Sequence, residues 1–420
     1  MRPCTSFVVL LILLLPFRST VAEAGTGTTH MPDPRTQEAI TLMNAFAGRT
    51  GLDTGAPPRR YLWTDAFAVC NYLGLGRATG EERYTALALQ LVGQVHHTLG
   101  RHRDDDPRRG WISGLDEDAG EDHPTRGGLR IGKPLPERGP DEPPDERLEW
   151  DRDGQYFHYL TRWMHALDQV SRNTQQPRYN TWARELAGAA FRAFTGATAP
   201  AWGSRRMVWK MSIDLTRVLV PSMGQHDPLD GYITALQLQA TPAAPPGPDL
   251  AEAIDGYAAM IRRGDWTTPD PLGLGGLLVD AWRVQQLMQQ GAKPGVPLLD
   301  RLLDGALTGL QYYARSGELQ RPAGYRLAFR ELGLAIGLHA LERMQQSVEQ
   351  GEQPTQADPK LLARLQELKA YLPLREAIED FWRDPANRQG ETWNEHRDIN
   401  EVMLATSLAP DGYLMLLPPD

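Results

Sequence analysis

Apolar residues recur along most of this chain at the spacing of an α-helix, three or four positions apart. No segment shows the convincing alternation of a strand, so the pattern predicts an all-α protein. The segment 65–77 is apolar on nearly every side, which is typical of an inner helix, and the more polar segment 84–99 is predicted as its outer partner. The predicted helices cover residues 37–47, 65–77, 84–99, 155–170, 178–194, 207–220, 251–262, 272–290, 298–315, 327–346, 359–371, 374–383 and 398–408.

Two short segments share the phrase Arg-x-Thr-x-x-x-Arg-Tyr, one at residues 77–84 and the other at residues 172–179. Each copy lies between two helical stretches and is therefore predicted to be the turn of a helical hairpin. Helical hairpins bury their apolar faces only when several copies stack. The repeat therefore predicts a ring or a solenoid.

The helical pattern stops between residues 101 and 150, where proline, glycine and charged residues dominate. A loop of this length is usually functional or disordered. Residues 111–130 carry apolar side chains that can pack, so we expect an ordered lid there. Residues 141–146 are expected to be open to proteases.

The first 24 residues have the features of a secretory signal peptide: a basic start, a short apolar core and a small-residue cleavage site ending at Ala24. We therefore expect a secreted or periplasmic protein that is cleaved after Ala24. Beyond this segment no apolar stretch is long enough to span a membrane.

Charge and cysteine usage exclude several classes of function. The net charge of −9 and the lack of a basic block argue against nucleic acid or an anionic membrane surface as a partner. Signal removal leaves only Cys70, so neither an intramolecular disulfide nor a cysteine zinc site is expected. We predict no metal and no cofactor, and the sequence does not indicate an oligomeric state.

Four segments resemble, in order along residues 63–338, the six-hairpin glycosidases, above all the unsaturated glucuronyl hydrolases. The stretch Trp-Thr-Asp-Ala-Phe at 63–67 is similar to the start of their first hairpin, and Asp-Gly-Gln-Tyr-Phe at 153–157 is similar to their His-Asp-x-Gly-Phe segment. Ser-Ile-Asp-Leu at 212–215 resembles their Ile-Asp-Asn motif, and residues 329–338 resemble their Trp-x-Arg-Gly-x-x-Trp helix. The resemblance implies an (α/α)6 toroid, here a single domain over residues 25–420 with the insertion 101–150.

The resemblance also implies a pair of carboxyl groups, one protonated and one ionised, on either side of a glycosidic bond. Asp153 and Asp214 are the preferred pair, because by resemblance each heads an inner helix that faces the pocket. Asp65 and Asp151 are secondary catalytic candidates, although N-capping is the favoured interpretation of both. Glu331 and His396 are further catalytic candidates, although capping and ion pairing also explain His396 and its charged neighbours.

Other residues are candidates for binding a sugar, whose ring stacks on aromatic side chains. Arginines are candidates for a uronic-acid carboxylate, because a guanidinium binds it with two hydrogen bonds. Residues 223–231 also place a histidine and two acids on a predicted Gly/Pro turn, which suits general acid/base work or a cation site. The binding candidates are Trp63, Trp111, Trp150, Trp209, Arg330 and His226, and the candidate arginines are Arg126, Arg130, Arg152, Arg205, Arg206 and Arg330.

The predicted function is therefore that of a carbohydrate-active enzyme, a glycoside hydrolase acting on an oligosaccharide, with uronic-acid-containing chains as one class. Arg152, Leu215 and Glu331 depart from the family motifs, which leaves a catalytically inactive toroid that binds a glycan or a protein as an alternative. A sugar epimerase is a third possibility, and it requires two facing histidines. The histidines available for it are His158, His165, His226, His339 and His396.

Overall fold

The computed structural model describes residues 32–196, 206–242, 247–294, 296–351 and 359–416. The predicted signal peptide lies outside these ranges, so its cleavage stays a prediction. None of the described helices combines the length and the apolarity needed to cross a bilayer. The helices are α1 (Pro34–Arg49), α2 (Leu62–Thr79), α3 (Glu82–Leu99), α4 (Glu117–Asp122), α5 (Glu146–Asp151), α6 (Phe157–Thr174), α7 (Pro177–Gly196), α8 (Asp227–Ala240), α9 (Ala251–Ile261), α10 (Pro271–Gln289), α11 (Val296–Arg315), α12 (Ala328–Glu349), α13 (Pro359–Leu368), α14 (Pro373–Arg383), α15 (Glu391–Glu395), α16 (Arg397–Leu408) and α17 (Asp411–Leu414).

Six of these helices form a closed inner ring. Helices α2, α6, α8, α10, α12 and α16 each pack on the next, and α16 packs back on α2. Outer helices cover them: α3 on α2, α7 on α6, α9 on α8, α11 on α10, α14 on α12, and α1 on α16. The predicted (α/α)6 toroid is therefore confirmed. Its sixth hairpin joins the first and last long helices of the chain.

The repeated phrase forms the same turn twice, as predicted. In each copy the threonine hydroxyl donates to the carbonyl four residues earlier, at 2.8 Å for both Thr79 and Thr174. A residue in the left-handed conformation then ends the helix. The arginine guanidinium lies over the ring of the following tyrosine, 4.5 Å away for Arg83 and 4.8 Å for Arg178.

The third inner helix of the ring is α8, and the sequence pattern did not predict it. Residues 207–220 were predicted as a helix, but they contain two antiparallel strands, β2 (Lys210–Met211) and β3 (Val218–Val220), joined to β1 (Gln155–Tyr156). The predicted turn at 223–231 instead begins α8. Pro228 is tolerated in the first turn of a helix, where its missing N–H needs no partner.

Glycines bring two pairs of helices into backbone contact. A Cβ atom on Gly275 of α10 would lie 2.0 Å from the carbonyl oxygen of Gly333 on α12. A Cβ atom on Gly412 of α17 would lie 2.2 Å from the carbonyl oxygen of Cys70 on α2. The glycine-rich start of α10 therefore serves helix packing, and α17 packs closely on the inner ring.

The insertion 101–150 contains α4 and α5 and is otherwise irregular. Polar contacts tie it to the small sheet: Glu137 accepts from the backbone N–H of Ile213 at 2.6 Å, and the buried Lys210 donates to the Glu149 carbonyl at 2.6 Å. Residues 141–148 are exposed. These contacts hold the insertion beside the ring.

Candidate active site

The inner ring surrounds a cavity of about 340 Å³. Every inner helix contributes to its wall, and so does Tyr413 of α17. The volume lies within the range of about 300–1,000 Å³ that is usual for small-molecule sites. The helices contribute, in ring order, Trp63 and Phe67, His158 and Arg162, Asp227, Val279, Ile336 and Met403.

Asp227 is a buried carboxyl group in this wall, in the first turn of α8, with only 5% of its surface exposed. Its Oδ2 atom has no hydrogen-bond partner among the described residues. Burial, reinforced by the negative charge of Asp230, raises the pKa of Asp227 to about 7, although the Gly224 backbone and Arg162 act in the opposite direction. A carboxyl group in this environment keeps its proton near neutral pH.

Asp230 lies one helical turn after Asp227 and is held in the ionised form. Its Oδ1 atom accepts from Arg162 at 2.8 Å, and its Oδ2 atom accepts from the Thr161 hydroxyl at 2.6 Å. Burial raises its pKa, but Arg162 and Arg283 outweigh that effect and lower it. Two carboxyl groups on one helix thus have opposite protonation preferences, which is the pattern of acid/base sites.

His158 lines the cavity as a neutral imidazole. Burial, helped by the positive charge of Arg162, lowers the pKa of His158 to about 4. The indole N–H of Trp209 points at Nδ1 of His158, 3.2 Å away. Because Nδ1 must then accept, the proton of the neutral ring is on Nε2.

His226 is the second histidine of the cavity wall, and it has the same tautomer as His158 but is held through the other ring nitrogen. Its Nε2 atom lies 3.0 Å from the carbonyl oxygen of Trp266, so Nε2 must donate and Nδ1 is left as an acceptor. Burial lowers the pKa of His226. Asp270 completes the polar wall, with Oδ1 accepting from the Gly273 N–H at 2.9 Å and Oδ2 paired with Arg330.

The structure brings three of the predicted binding residues into the cavity wall, namely Trp63, Trp209 and His226. Two neighbouring cavities contain others. Trp150 lines a cavity of about 320 Å³ and meets Trp209 edge to face. Arg330 and Glu331 line a cavity of about 490 Å³ that shares Asp270 with the central one.

The preferred carboxylate pair is not brought to the described cavity wall. Asp153 is fully buried outside it, where Oδ2 accepts from Arg130 at 2.6 Å and Oδ1 accepts from the N–H groups of Gly132 and Gly154 at 3.0 Å. It heads no helix; it connects the insertion to β1. The expectation that it faces the pocket is therefore wrong.

Asp214 is also positioned differently from the expectation, in the turn between β2 and β3. Arg108 of the insertion donates to it at 2.7 Å, and the hydroxyls of Ser212 and Thr216 donate at 2.7 Å each. Burial raises the pKa of Asp214, but these hydrogen bonds and Arg108 lower it to about 2. This carboxylate therefore anchors the insertion and is poorly suited to carry a proton.

The other catalytic candidates also lie outside the described cavity wall. Asp65 is buried in the first turn of α2 and accepts from the Tyr61 N–H at 2.8 Å. Asp151 is exposed at the end of α5. Glu331 is buried and pairs with Arg326 at 2.6 Å. His396 packs edge-on against Phe329, 5.6 Å between ring centres.

The remaining candidates have structural partners. Trp111 is buried under Arg101, which lies 4.4 Å from its ring. His165 contacts Gln237 and the Tyr413 carbonyl, and His339 pairs with Glu379 at 2.9 Å. Four of the candidate arginines pair with carboxylates: Arg126 with Glu185, Arg130 with Asp153, Arg152 with Glu142 and Arg330 with Asp270. Arg205 lies outside the described residues; Arg206, within them, lines none of these three cavities.

The sequence therefore predicts Trp63, Trp209 and His226 of this cavity wall, but not Asp227 as its catalytic carboxyl group. The segment 223–231 was noted for its His and two acids, but Asp227 and Asp270 were not chosen as catalytic candidates. A usable signal was present, because Asp227 and Asp230 are spaced three residues apart just after a histidine. Among the described residues, no group of three or more His, Cys, Asp or Glu side chains is placed to hold a metal ion.

No protein-family model matches the chain, and no curated protein sequence matches it. Solved structures of similar fold include a sugar epimerase from a ruminal bacterium, with 10% identity, a TM-score of 0.48, and coverage of 83% of this chain and 86% of that one. A cellobiose 2-epimerase from Spirochaeta thermophila has 12% identity, a TM-score of 0.45, and coverage of 89% and 98%. A GH76 α-mannanase from Bacteroides thetaiotaomicron has 9% identity, a TM-score of 0.44, and coverage of 82% and 98%.

Proposed function

We propose that this protein is a carbohydrate-active enzyme, a glycoside hydrolase that cleaves an oligosaccharide in the central cavity with Asp227 as general acid. The main support for this proposal is the environment of Asp227. Its carboxyl group is buried on the cavity wall, one of its oxygens has no hydrogen-bond partner among the described residues, and its pKa is raised to about 7. A general acid needs a proton at working pH and a pKa close to that pH.

The reaction requires a second carboxylate, and Asp270 is the other acid on the cavity wall. In hydrolysis, Asp227 gives its proton to the glycosidic oxygen as the bond to the anomeric carbon breaks. A water molecule attacks that carbon and gives its own proton to Asp270, or Asp270 first attacks the carbon itself and water then releases the sugar. In the first route Asp270 then gives its proton to solvent and Asp227 takes one up; in the second, Asp227 takes its proton back from the water that releases the sugar. Each route consumes one water.

The rest of the wall suits a sugar. Trp63, Phe67, Trp209 and Tyr413 offer aromatic faces and edges against which the C–H surfaces of a pyranose ring pack. The neutral Nε2–H group of His158 is a hydrogen-bond donor for a hydroxyl group. Aromatic side chains beside polar groups that can fix an orientation are typical of a small-molecule site.

The test compares Asp227→Asn with Asp255→Asn, a matched change at an exposed position of the outer helix α9. The substrates are neutral and uronic-acid-containing oligosaccharides of glucose, mannose, galactose and xylose, with the matching 4-nitrophenyl glycosides. Asp227→Asn should lower kcat on the oligosaccharides by about a hundredfold or more, while Asp255→Asn leaves it unchanged. The loss should be smaller on nitrophenyl glycosides, whose leaving group needs no proton. Full oligosaccharide activity in Asp227→Asn contradicts the proposal.

A second candidate function, sugar epimerisation, is favoured by one observation: His158 and His226 both line the cavity, and His158 keeps Nε2–H as a donor whereas His226 keeps Nδ1 as an acceptor. One ring could take a proton from the carbon beside a sugar carbonyl, and the other could return a proton to the opposite face. The products separate the two candidates. Hydrolysis gives shorter sugars, whereas epimerisation in H₂O gives an isomer with the mass of the substrate. In D₂O, the epimerised product would also contain deuterium at the carbon that exchanged its proton.

A further inference from the structure

The cavity of about 490 Å³ beside the active site has no role in the chemistry proposed above, apart from the shared wall residue Asp270. It lies between the end of α11 and the start of α12. Because Asp270 lines both, the two cavities adjoin at this residue. This arrangement suits one oligosaccharide chain that continues from the central cavity into the second.

The aromatic groups of the second cavity suit a sugar ring. Tyr325 is 76% exposed, the most exposed of the large hydrophobic residues described in the structure. An exposed aromatic side chain at a cavity wall leaves a face open for stacking. The neighbouring Arg326 is fixed by its buried pair with Glu331, so the short segment that carries Tyr325 is held in place.

Tyr313 supplies a polar group without a partner. It is only 3% exposed, and its hydroxyl makes no hydrogen bond to the described residues. Leaving a buried hydroxyl unpaired is unfavourable, and a hydrogen bond to a ligand hydroxyl would remove that cost. The free protein therefore holds an unsatisfied donor at the wall of this cavity.

The charges in the wall compensate one another. Arg330 pairs with Asp270, Arg326 pairs with Glu331 at 2.6 Å, and Glu318 pairs with Arg321 at 3.0 Å. A charged ligand would find each charged side chain of the wall already paired. The cavity thus favours a neutral ligand rich in hydroxyl groups over an anion.

We propose that the second cavity binds a further, neutral sugar unit of the same oligosaccharide that the central cavity binds, with Tyr325 as stacking platform and Tyr313 as hydroxyl partner. The proposal rests on the proposed function for the identity of the ligand. It adds that the substrate is a chain longer than the two units around the cleaved bond.

The experiment measures kcat/KM for neutral oligosaccharides of increasing length, from the disaccharide to the hexasaccharide, in the wild type and in Tyr325→Ala. Tyr312→Ala is the matched control, because Tyr312 is 60% exposed on α11 and does not line the cavity. Tyr325→Ala should lower kcat/KM about tenfold on the longer substrates and leave the disaccharide unchanged. Tyr312→Ala should change neither.

Tyr313→Phe gives an independent readout, because it removes only the hydroxyl. It should weaken binding of the longer oligosaccharides to the Asp227→Asn variant about fivefold, measured by calorimetry, while the thermal stability of the free protein stays equal or rises. A loss of both binding and stability would indicate a structural role and overturn the assignment.

The outcomes separate this inference from the proposed function. If Tyr325→Ala does not change turnover, or lowers it equally for all substrate lengths, the proposed sugar site in the second cavity is wrong. The proposed hydrolase activity is unaffected by that result. If binding increases with substrate length and requires Tyr325, but no substrate is turned over, the sugar site in the second cavity is supported and the proposed hydrolase activity is wrong. Absence of binding by every oligosaccharide overturns both.

Discussion

Asp227 and Asp230 lie one turn apart on α8, yet only Asp230 has an arginine, Arg162, within hydrogen-bond distance at 2.8 Å. Burial raises the pKa of Asp227, and the negative charge of Asp230 raises it further. The protein thereby obtains a neutral acid and a charged one from two residues of the same type. This difference leads to the first prediction.

The activity on oligosaccharides should fall as the pH rises through about 7, because the acid Asp227 then loses its proton. Asp230→Asn should move this fall in kcat/KM to lower pH, since it removes a charge that raises the pKa. The pH profile of kcat/KM checks both statements, with Asp255→Asn as control. If the alkaline fall in kcat/KM occurs at the same pH in Asp230→Asn as in the wild type, that fall does not report the ionisation of Asp227.

Asp227 should also leave a signature in stability. Its pKa is raised in the folded protein, from about 3.8 to about 7, so the folded state binds the proton more tightly than the unfolded chain. The free energy of unfolding should therefore fall as the pH rises through this window. Asp227→Asn cannot ionise, so its Tm relative to the wild type should rise between pH 4 and pH 8. A pH-independent Tm difference argues against an ionisable, poorly solvated Asp227.

The same substitution at Asp153 should have the opposite effects. Asp153→Asn leaves Arg130 buried without its charge partner, and breaking such a pair typically costs about 3–5 kcal/mol. Denaturant unfolding should show this loss, while kcat of the folded protein stays near the wild-type value. A large loss of kcat at unchanged stability would return Asp153 to the mechanism.

Trp209 should act through His158. Trp209→Phe keeps an aromatic face but removes the indole N–H that fixes the His158 tautomer, so kcat/KM should fall by about tenfold. Trp182→Phe is the matched control, because its indole N–H donates to the Asp122 carbonyl on the outside of the ring at 2.8 Å. Equal effects of the two changes would indicate a general packing defect.

The ring could be predicted because its signals are local. Helical periodicity and the two Arg-x-Thr-x-x-x-Arg-Tyr turns depend on residues close in sequence, and they form as predicted. Helix α8 was missed because Pro228 and Gly231 imitate a turn, although proline is tolerated at a helix start. The segment 207–220 has apolar residues that fit either a helix or a short strand.

The site was predicted less well because its chemistry depends on distant contacts. A carboxylate before a helix looks the same in sequence whether it faces a cavity or an arginine, and the arginines of Asp153 and Asp214 come from the irregular insertion. Asp227 differs from them only in lacking such a partner. That difference is visible only once the chain is folded.

The sixth hairpin pairs α1 with α16, so Arg49 meets Asp398 across 349 residues of sequence. During synthesis the first helix therefore emerges long before its partner exists. The apolar face of α1 and the open edge of α2 must remain without their final neighbours until almost the whole chain is made. Ring closure is then a late step with a large loop-closure cost, and a chain that stops before α16 has no route to a finished cavity.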